Sequence, residues 1–334
     1  MILFFTNSNA DENKFKYFSN EKGTLALIYH RFDESKYPST NIQMEVFKKQ
    51  IGIIKDNKFD FYSPEKFDFN FNNIKNNKKV LITIDDAFSS FYEKAWPFLK
   101  EEKIPFILFV STEPVGKFGY MNWEQIKEIE KENFAFIGNH SHSHNYLVNY
   151  NFSKFKEDID KSIKIFENQI GYNPIFFSYP FGEYSLEQKR YITKKFKYAF
   201  GQHSGVIDLN KDKYELPRFP INEKYGDLDR FKFLTRLLPL QYKSIQPEEK
   251  LILNENNPPD MNIIFFKDQA NLKSINCFSN EEGKWDKTII NLNKNTLQIK
   301  FRGPFLERRG RINCSMKDES GWRWLGTQFT IKLD

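Results

Sequence analysis

The sequence predicts an α/β protein, a distorted (β/α) barrel of about seven units followed by a small, sandwich-like all-β domain. Between Thr24 and about Pro220, short apolar runs alternate with segments whose apolar residues recur at helical spacing. Runs that are apolar throughout are typical of parallel strands that helices cover on both faces. Six or seven such units in roughly 200 residues favour a barrel over an open sheet.

Each predicted unit joins one apolar run to one amphipathic segment. The predicted strands are 24–30, 78–84, 105–111, 134–138, 174–178 and 198–201. The predicted helices are 42–56, 89–101, 122–132, 152–170 and 185–196. We therefore assign residues 23–235 to the barrel.

The pattern changes after about residue 236. Segment 236–260 is rich in proline, asparagine and charge, which predicts a linker. Short strand-like runs separated by turn sequences then predict an all-β accessory domain over 261–334. Residues 1–22 are predicted to be a tail, whose start MILFFTNSNA resembles either the end of a signal peptide or a frayed terminus. The first alternative favours a periplasmic or secreted protein and leaves a cytoplasmic one open.

Composition excludes some classes of protein. The net charge of +6 over 334 residues comes from interspersed Lys and Glu, so nucleic acid is not an expected partner. We expect no transmembrane segment, because no apolar run reaches the length of a membrane span. Cys277 and Cys314 could form a bridge or be two small core residues, and the second alternative is slightly favoured.

Three of the five histidines lie within five positions, at His140, His142 and His144. His140 and His144 are four residues apart, so on a helical turn or tight loop both imidazoles can reach one cation. A chance pair on a surface helix is the alternative. It is less favoured because the cluster directly follows the predicted strand 134–138.

Asp85 and Asp86 end another predicted strand. Two adjacent carboxylates there are costly unless something compensates their charge. Capping of the next helix would explain Asp86 but not both residues. The alternative is that one carboxylate binds a cation while the other stays ionised and accepts a proton from water.

The stretch FFSYPFGEYS, residues 176–185, begins in a third predicted strand, 174–178, and continues past its end. Its proline and glycine predict a rigid turn. The turn is either a simple βα connection or the support for an aromatic wall that contacts substrate, formed by Tyr179, Phe181 and Tyr184. The ends of parallel strands form one face of a barrel, so we expect the three stretches to meet there. This convergence predicts a metal-dependent enzyme.

The order TIDDAF, GNHSHSH and SYPFGEY resembles the polysaccharide deacetylases, the NodB-homology or carbohydrate esterase family 4. The resemblance covers roughly residues 24–220, and YPFGEY is most similar to the branch that deacetylates poly-N-acetylglucosamine. It implies a hydrolase of linear amides at the cell envelope, which removes N-acetyl groups from an acetylated amino-sugar polysaccharide. It also implies a divalent metal ion; we expect zinc, with cobalt, nickel or iron as alternatives.

The resemblance implies roles for individual residues. Asp86, His140 and His144 would bind the metal, and Asp85 would be the general base. The backbone amide of Tyr179 would help to stabilise the oxyanion. His142 is expected to lie outside the metal site.

The sequence departs from the family at two positions. The arginine that orients the base is replaced by Ser178, and Arg218 is our hypothesis for its substitute. The late leucine-x-histidine motif is absent, so His203 is the first candidate for the general acid and His30 the second. An O-acetyl esterase and a non-catalytic carbohydrate-binding relative are the competing functions. Asp85 argues against the second, since a binding protein needs no base.

Overall fold

The computed structural model describes residues 22–67, 78–208, 210–266 and 272–332. All but the last residue of the predicted tail, with its start that resembles a signal peptide, lies outside this range. Within the described ranges we find no helix with both the length and the apolar character needed to cross a bilayer.

A curled, mostly parallel sheet surrounded by helices forms the N-terminal unit, which confirms the distorted (β/α) barrel. The strands up to residue 220 are β1 (Thr24–Tyr29), β2 (Arg31–Phe32), β3 (Asn41–Ile42), β4 (Asp60–Phe61), β5 (Lys79–Asp85), β6 (Phe106–Val110), β7 (Ala135–Asn139), β8 (Phe176–Ser178), β9 (Tyr198–Phe200), β10 (Val206–Ile207) and β11 (Phe219–Pro220). The main order is β10-β1-β5-β6-β7-β8-β9, with β4 beside β5 and β11 beside β1. Strands β2 and β3 pair separately.

The helices are α1 (Met44–Asp56), α2 (Trp96–Glu102), α3 (Trp123–Glu130), α4 (Phe152–Ile170), α5 (Leu186–Ile192) and α6 (Leu228–Thr235). Helix α4 shows why these boundaries arise. The Asn151 side chain accepts a hydrogen bond from the Lys154 amide at its start, and Gly171, at φ 86°, ends it in the left-handed conformation. Its apolar face buries Phe155, Ile159 and Phe166.

The strand register brings the carboxyl ends of the barrel strands together. Asp85 at the end of β5 lies opposite Phe109 of β6, and Val110 lies opposite Asn139 of β7. The described strands show no pairing between β9 and β10, so the barrel is open on that side. The chain that leads into β11 crosses this opening, where the Arg218 amide donates to the His203 carbonyl. This crossing carries Arg218 into the barrel.

Two sheets that share one apolar core form the C-terminal unit. Their strands are β12 (Leu238–Pro239), β13 (Ser244–Gln246), β14 (Leu251–Ile252), β15 (Met261–Ile264), β16 (Asn276–Ser279), β17 (Asp286–Lys287), β18 (Ile289–Asn293), β19 (Thr296–Lys300), β20 (Arg309–Asp318) and β21 (Gly321–Ile331). One sheet has the order β12-β21-β20-β16-β17 with β14 beside β21, and the other has the order β13-β15-β19-β18. Segment 236–260 therefore differs from a plain linker, because its strands β12, β13 and β14 pair with these sheets.

A disulfide joins Cys277 of β16 to Cys314 of β20. The two residues lie directly opposite each other in the antiparallel register, which brings their side chains into bonding range. The expectation of two unbridged core residues is therefore wrong, although both side chains are buried.

Candidate active site and metal centre

The candidate site lies where strands β5, β7 and β8 end. Asp86 follows β5 at φ 74°, and His144 has φ 53° in the loop after β7. Left-handed backbone at residues other than glycine costs on the order of 1–3 kcal/mol and recurs at functional sites. Asp86 caps no helix, since the helical segment after it begins at Ser89, three residues further on. A tight loop brings His140 and His144 together. Of the two alternatives for this pair, the structure therefore adopts the loop and not the helical turn.

Asp86, His140 and His144 bring three donor atoms to one point. Asp86 Oδ1 is 3.1 Å from His144 Nε2 and 3.5 Å from His140 Nε2. All three donor atoms lie within 4.8 Å of one another. The Nδ1 of His140 is 2.7 Å from the Ser178 carbonyl, and by donating to it leaves an Nε2 lone pair for a cation.

Two of these donor atoms are buried without a hydrogen-bond partner among the described residues, namely Asp86 Oδ1 and His140 Nε2. A buried polar atom without a partner is costly, and a cation would satisfy both atoms at once. A carboxylate oxygen and two imidazole nitrogens are ligands that zinc and similar divalent ions accept. The residues present therefore fit the metal ion that the sequence implies.

Hydrogen bonds from the protein hold the histidine loop in shape. Asp158 on α4 accepts from the His142 amide at 2.9 Å, and Asn139 Oδ1 accepts from the Ser141 amide at 2.8 Å. Ser141 Oγ accepts from the His144 amide at 3.1 Å. The sequence analysis did not identify Asp158. The sequence feature that could have indicated it is an acidic residue on the buried face of an amphipathic helix.

His142 points away from the three donor atoms. Its Nδ1 lies 2.8 Å from Thr112 Oγ1, and its Nε2 lies 4.0 Å from Glu113. The structure therefore places this histidine beside the site rather than in it, which agrees with the expectation from the sequence.

Arg218 forms a bidentate ion pair with Asp85, and both side chains are fully buried. Its Nη1 donates to Asp85 Oδ1 at 2.7 Å, and its Nη2 donates to Asp85 Oδ2 at 3.0 Å. Its three other N–H groups bond to Thr83 Oγ1, Ser178 Oγ and the Gly201 carbonyl. All five donors of the guanidinium are thus used, and Ser178 leaves room for the group by being small.

The charges of the site oppose the effect of burial. Burial by itself would raise the pKa of Asp85, but Arg218 and the imidazole of His140 hold it below its usual value. Burial likewise acts to raise the pKa of Asp86, but the His144 imidazole holds this pKa well below its usual value. Both carboxylates are therefore ionised at neutral pH. Burial lowers the pKa of His140 to about 4, so its ring is neutral and can act as a ligand.

Only one residue of the predicted aromatic wall reaches the site. The side chains of Tyr179 and Tyr184 are buried beneath it, and the Tyr184 hydroxyl donates to Glu215 at 2.7 Å. The Tyr179 amide already donates to the Phe200 carbonyl at 3.0 Å, which leaves it no free N–H for an oxyanion. Both tyrosines therefore support the turn instead of contacting substrate.

Phe181 occupies the surface position in this turn. Its ring centre is 4.8 Å from that of His144 and 4.3 Å from that of Tyr146. Its backbone has φ 60°, and its amide has no acceptor within the described residues. This N–H is therefore a better oxyanion donor than that of Tyr179.

The structure separates the two candidate general acids. Burial lowers the pKa of His203 to about 4, and the charges that act most on it are Glu215 and Lys250, outside the metal centre. A histidine with that pKa is a neutral imidazole at neutral pH, so it is a poor general acid. His30, at the end of β1, is close enough for its charge to lower the pKa of both Asp85 and Asp86. The structure therefore favours His30 over His203.

A second wall, which the sequence did not reveal, lies near Asp86. The Arg31 guanidinium lies 3.5 Å over the Phe88 ring, and the Phe88 ring centre is 4.9 Å from that of Tyr120. Burial and the Asp86 charge raise the pKa of Tyr120, so its hydroxyl stays protonated beside the site. Only the position of Phe88 in TIDDAF could have indicated this wall.

With this geometry in view, comparison with known proteins shows what the chain is similar to. Residues 72–201 match the polysaccharide deacetylase family of hydrolases.

Individual relatives and solved structures are also similar to this chain. The poly-beta-1,6-N-acetyl-D-glucosamine N-deacetylase of Staphylococcus aureus strain MRSA252 is 28% identical over 248 residues, which cover 65% of this chain and 85% of the relative. The structure of IcaB from Ammonifex degensii has a TM-score of 0.58 at 24% identity and covers 64% of this chain and 97% of that one. The Streptococcus pyogenes deacetylase PplD, in complex with acetate, has a TM-score of 0.56 at 22% identity, with coverages of 61% and 94%. These two structures are similar to this chain in fold.

Proposed function

We propose that the protein is a divalent-metal-dependent deacetylase that removes N-acetyl groups from a poly-N-acetylglucosamine-like polysaccharide. One observation carries the proposal. The donor atoms of Asp86, His140 and His144 converge beside Asp85, whose ionised form Arg218 maintains. A base beside a cation site is the pair of groups that amide hydrolysis by water needs. The activity printed in the name of the Staphylococcus aureus relative supports the choice of substrate.

Asp86, His140 and His144 would hold the ion, for which we propose zinc, with cobalt, nickel or iron as alternatives. When bound, the ion would lower the pKa of a water molecule and polarise the acetamide oxygen. Asp85 accepts the proton of that water, because its ion pair keeps it ionised and oriented.

The Phe181 amide donates to the oxygen that becomes negative during the attack. His30 supplies the proton to the leaving amine in place of His203, which is a neutral imidazole and a poor general acid at neutral pH. We propose residues 23–235 as the catalytic barrel. The disulfide between Cys277 and Cys314 supports a periplasmic or secreted location, since such bridges persist in oxidising compartments.

The test is acetate release from oligomers of β-1,6-linked N-acetylglucosamine. Chelated protein is compared with protein to which zinc, cobalt or nickel is returned, and Asp85→Asn is measured in parallel. We expect metal-restored release in the unmodified protein and at least about a 100-fold loss in Asp85→Asn, with metal still bound. Release from an O-acetylated glycan but not from the N-acetylated oligomers would instead identify an O-acetyl esterase. Metal binding without release from either substrate would indicate a carbohydrate-binding relative.

A further inference from the structure

A stacked column of side chains runs from the C-terminal unit to the candidate metal centre. The Arg308 guanidinium lies 4.1 Å from the ring centre of Tyr146, which lies 4.3 Å from that of Phe181. Phe181 in turn lies 4.8 Å from the ring centre of His144. Arg308 and Phe181 both lie about 4 Å from the Tyr146 ring centre, so Tyr146 links the arginine to Phe181.

The same arginine is tied to the turn that carries Phe181. Arg308 Nη2 is 2.7 Å and its Nε 2.9 Å from Glu183 Oε2, and the Glu183 side chain is only 1% exposed. Arg309 approaches the other carboxylate oxygen at 3.7 Å. From β21, Gln328 Nε2 donates to the carbonyls of Phe181 and Gly182 at 3.1 and 3.3 Å.

These contacts fix a turn whose own backbone is strained. Phe181 has φ 60°, a conformation that persists only where the surroundings impose it. The turn carries the free Phe181 amide, and its ring packs on His144, a proposed metal ligand. The supports come from outside the barrel, from Arg308 just before β20, from Arg309 at its start and from Gln328 in β21.

We propose that the C-terminal unit is an integral part of the active site, and that Arg308 is a positioning residue that holds Phe181 and His144 through Tyr146 and Glu183. Arg308 contacts neither substrate nor metal. It acts by limiting the number of arrangements available to the turn and to the imidazole. The expected change in kcat rests on the proposed function. The effect on His144 does not, because it is measured as metal affinity without any substrate.

The chain offers a matched control in Arg302. This arginine also pairs with a buried carboxylate, with Nη2 3.1 Å from Glu281 Oε2. Its side chain is 21% exposed, against 22% for Arg308. Its other hydrogen bonds go to the carbonyls of Ser279 and Lys287, within the C-terminal unit. Replacing either arginine removes the same kind of ion pair, but only Arg308 reaches the barrel turn.

The experiment compares Arg308→Ala, Arg308→Lys and Arg302→Ala in the full chain. Zinc affinity is measured by titration calorimetry, unfolding by urea, and kcat and KM by acetate release from the oligomers used above. We expect similar loss of stability in the two alanine variants. We expect Arg308→Ala alone to weaken zinc binding about fivefold or more and to lower kcat about tenfold, with a smaller change in KM. Arg308→Lys keeps the charge but not the planar stacking group, so it should recover only part of the loss.

Equal zinc affinity and equal kcat in Arg308→Ala and Arg302→Ala would overturn the proposal, since the arginine would then serve stability only. If the unmodified protein binds zinc but releases no acetate, the proposed function fails. The zinc affinities would still decide whether Arg308 positions His144.

Discussion

Exchanging the arginine between two positions tests how the general base is held. Arg218 Nη2 lies 2.7 Å from Ser178 Oγ, the position where the family carries its arginine. The perturbation is Arg218→Ser, alone and combined with Ser178→Arg. The single substitution removes every hydrogen bond from the guanidinium and leaves Asp85 buried without its main counter-charge. The double variant returns a guanidinium to Asp85 from position 178, at the end of β8.

The structure sets the size of the expected effect. Asp85 is fully buried, and removing one partner of a buried ion pair costs about 3–5 kcal/mol of stability. Burial is the largest influence on the pKa of Asp85 and acts to raise it from the ordinary value of 3.8. Without Arg218, burial would raise this pKa, so the protonated, inactive form of the base would persist to higher pH.

The assay is the pH dependence of kcat/KM for acetate release, together with the urea midpoint of each variant. We expect the acidic limb of the profile to shift to higher pH in Arg218→Ser. In the double variant, we expect at least half of this shift to be reversed. An unchanged acidic limb in Arg218→Ser would refute the idea that this arginine maintains the ionised base. If the double variant regained stability while its acidic limb stayed shifted, the chain position from which the guanidinium reaches Asp85 would matter for the base.

Three further outcomes follow from other contacts. Burial acts to raise the pKa of Glu215, but Lys189 and Lys250 bring it to about 2, below its ordinary 4.5. Its ion pairs therefore stabilise the fold above pH 4.5 and less as pH falls towards 2. Urea unfolding of Glu215→Gln should show a deficit of about 3 kcal/mol at pH 6 that shrinks towards pH 2, and a deficit independent of pH would contradict this. The Cys277–Cys314 bridge spans 37 residues, so Cys314→Ser should lower the free energy of unfolding by about 3–4 kcal/mol. Equal urea midpoints of the unmodified protein with and without reductant would argue against the bridge. Asp158→Ala should weaken zinc binding about 10-fold by loosening the histidine loop, whereas unchanged affinity would show that the loop holds itself.

The sequence by itself determined the barrel strands and the three motifs. Strands β1 and β5 to β9 lie within two residues of their predicted ends, and helix α4 matches its predicted range. These predictions succeed because apolar runs buried on both faces and helical periodicity are local patterns. The meeting of Asp86, His140 and His144 follows from the same patterns, since parallel strands present their carboxyl ends on one face.

The tertiary structure decided which groups complete the site. Only the open side of the barrel shows how Arg218 reaches Asp85 from 133 residues away, and only burial distinguishes Phe181 from its tyrosine neighbours. The disulfide and the column from Arg308 to His144 likewise depend on strand register and on the contact between the two units. The physical reason is that backbone periodicity is encoded over a few neighbouring residues. Side-chain partners, burial and pKa shifts arise only when distant segments pack together.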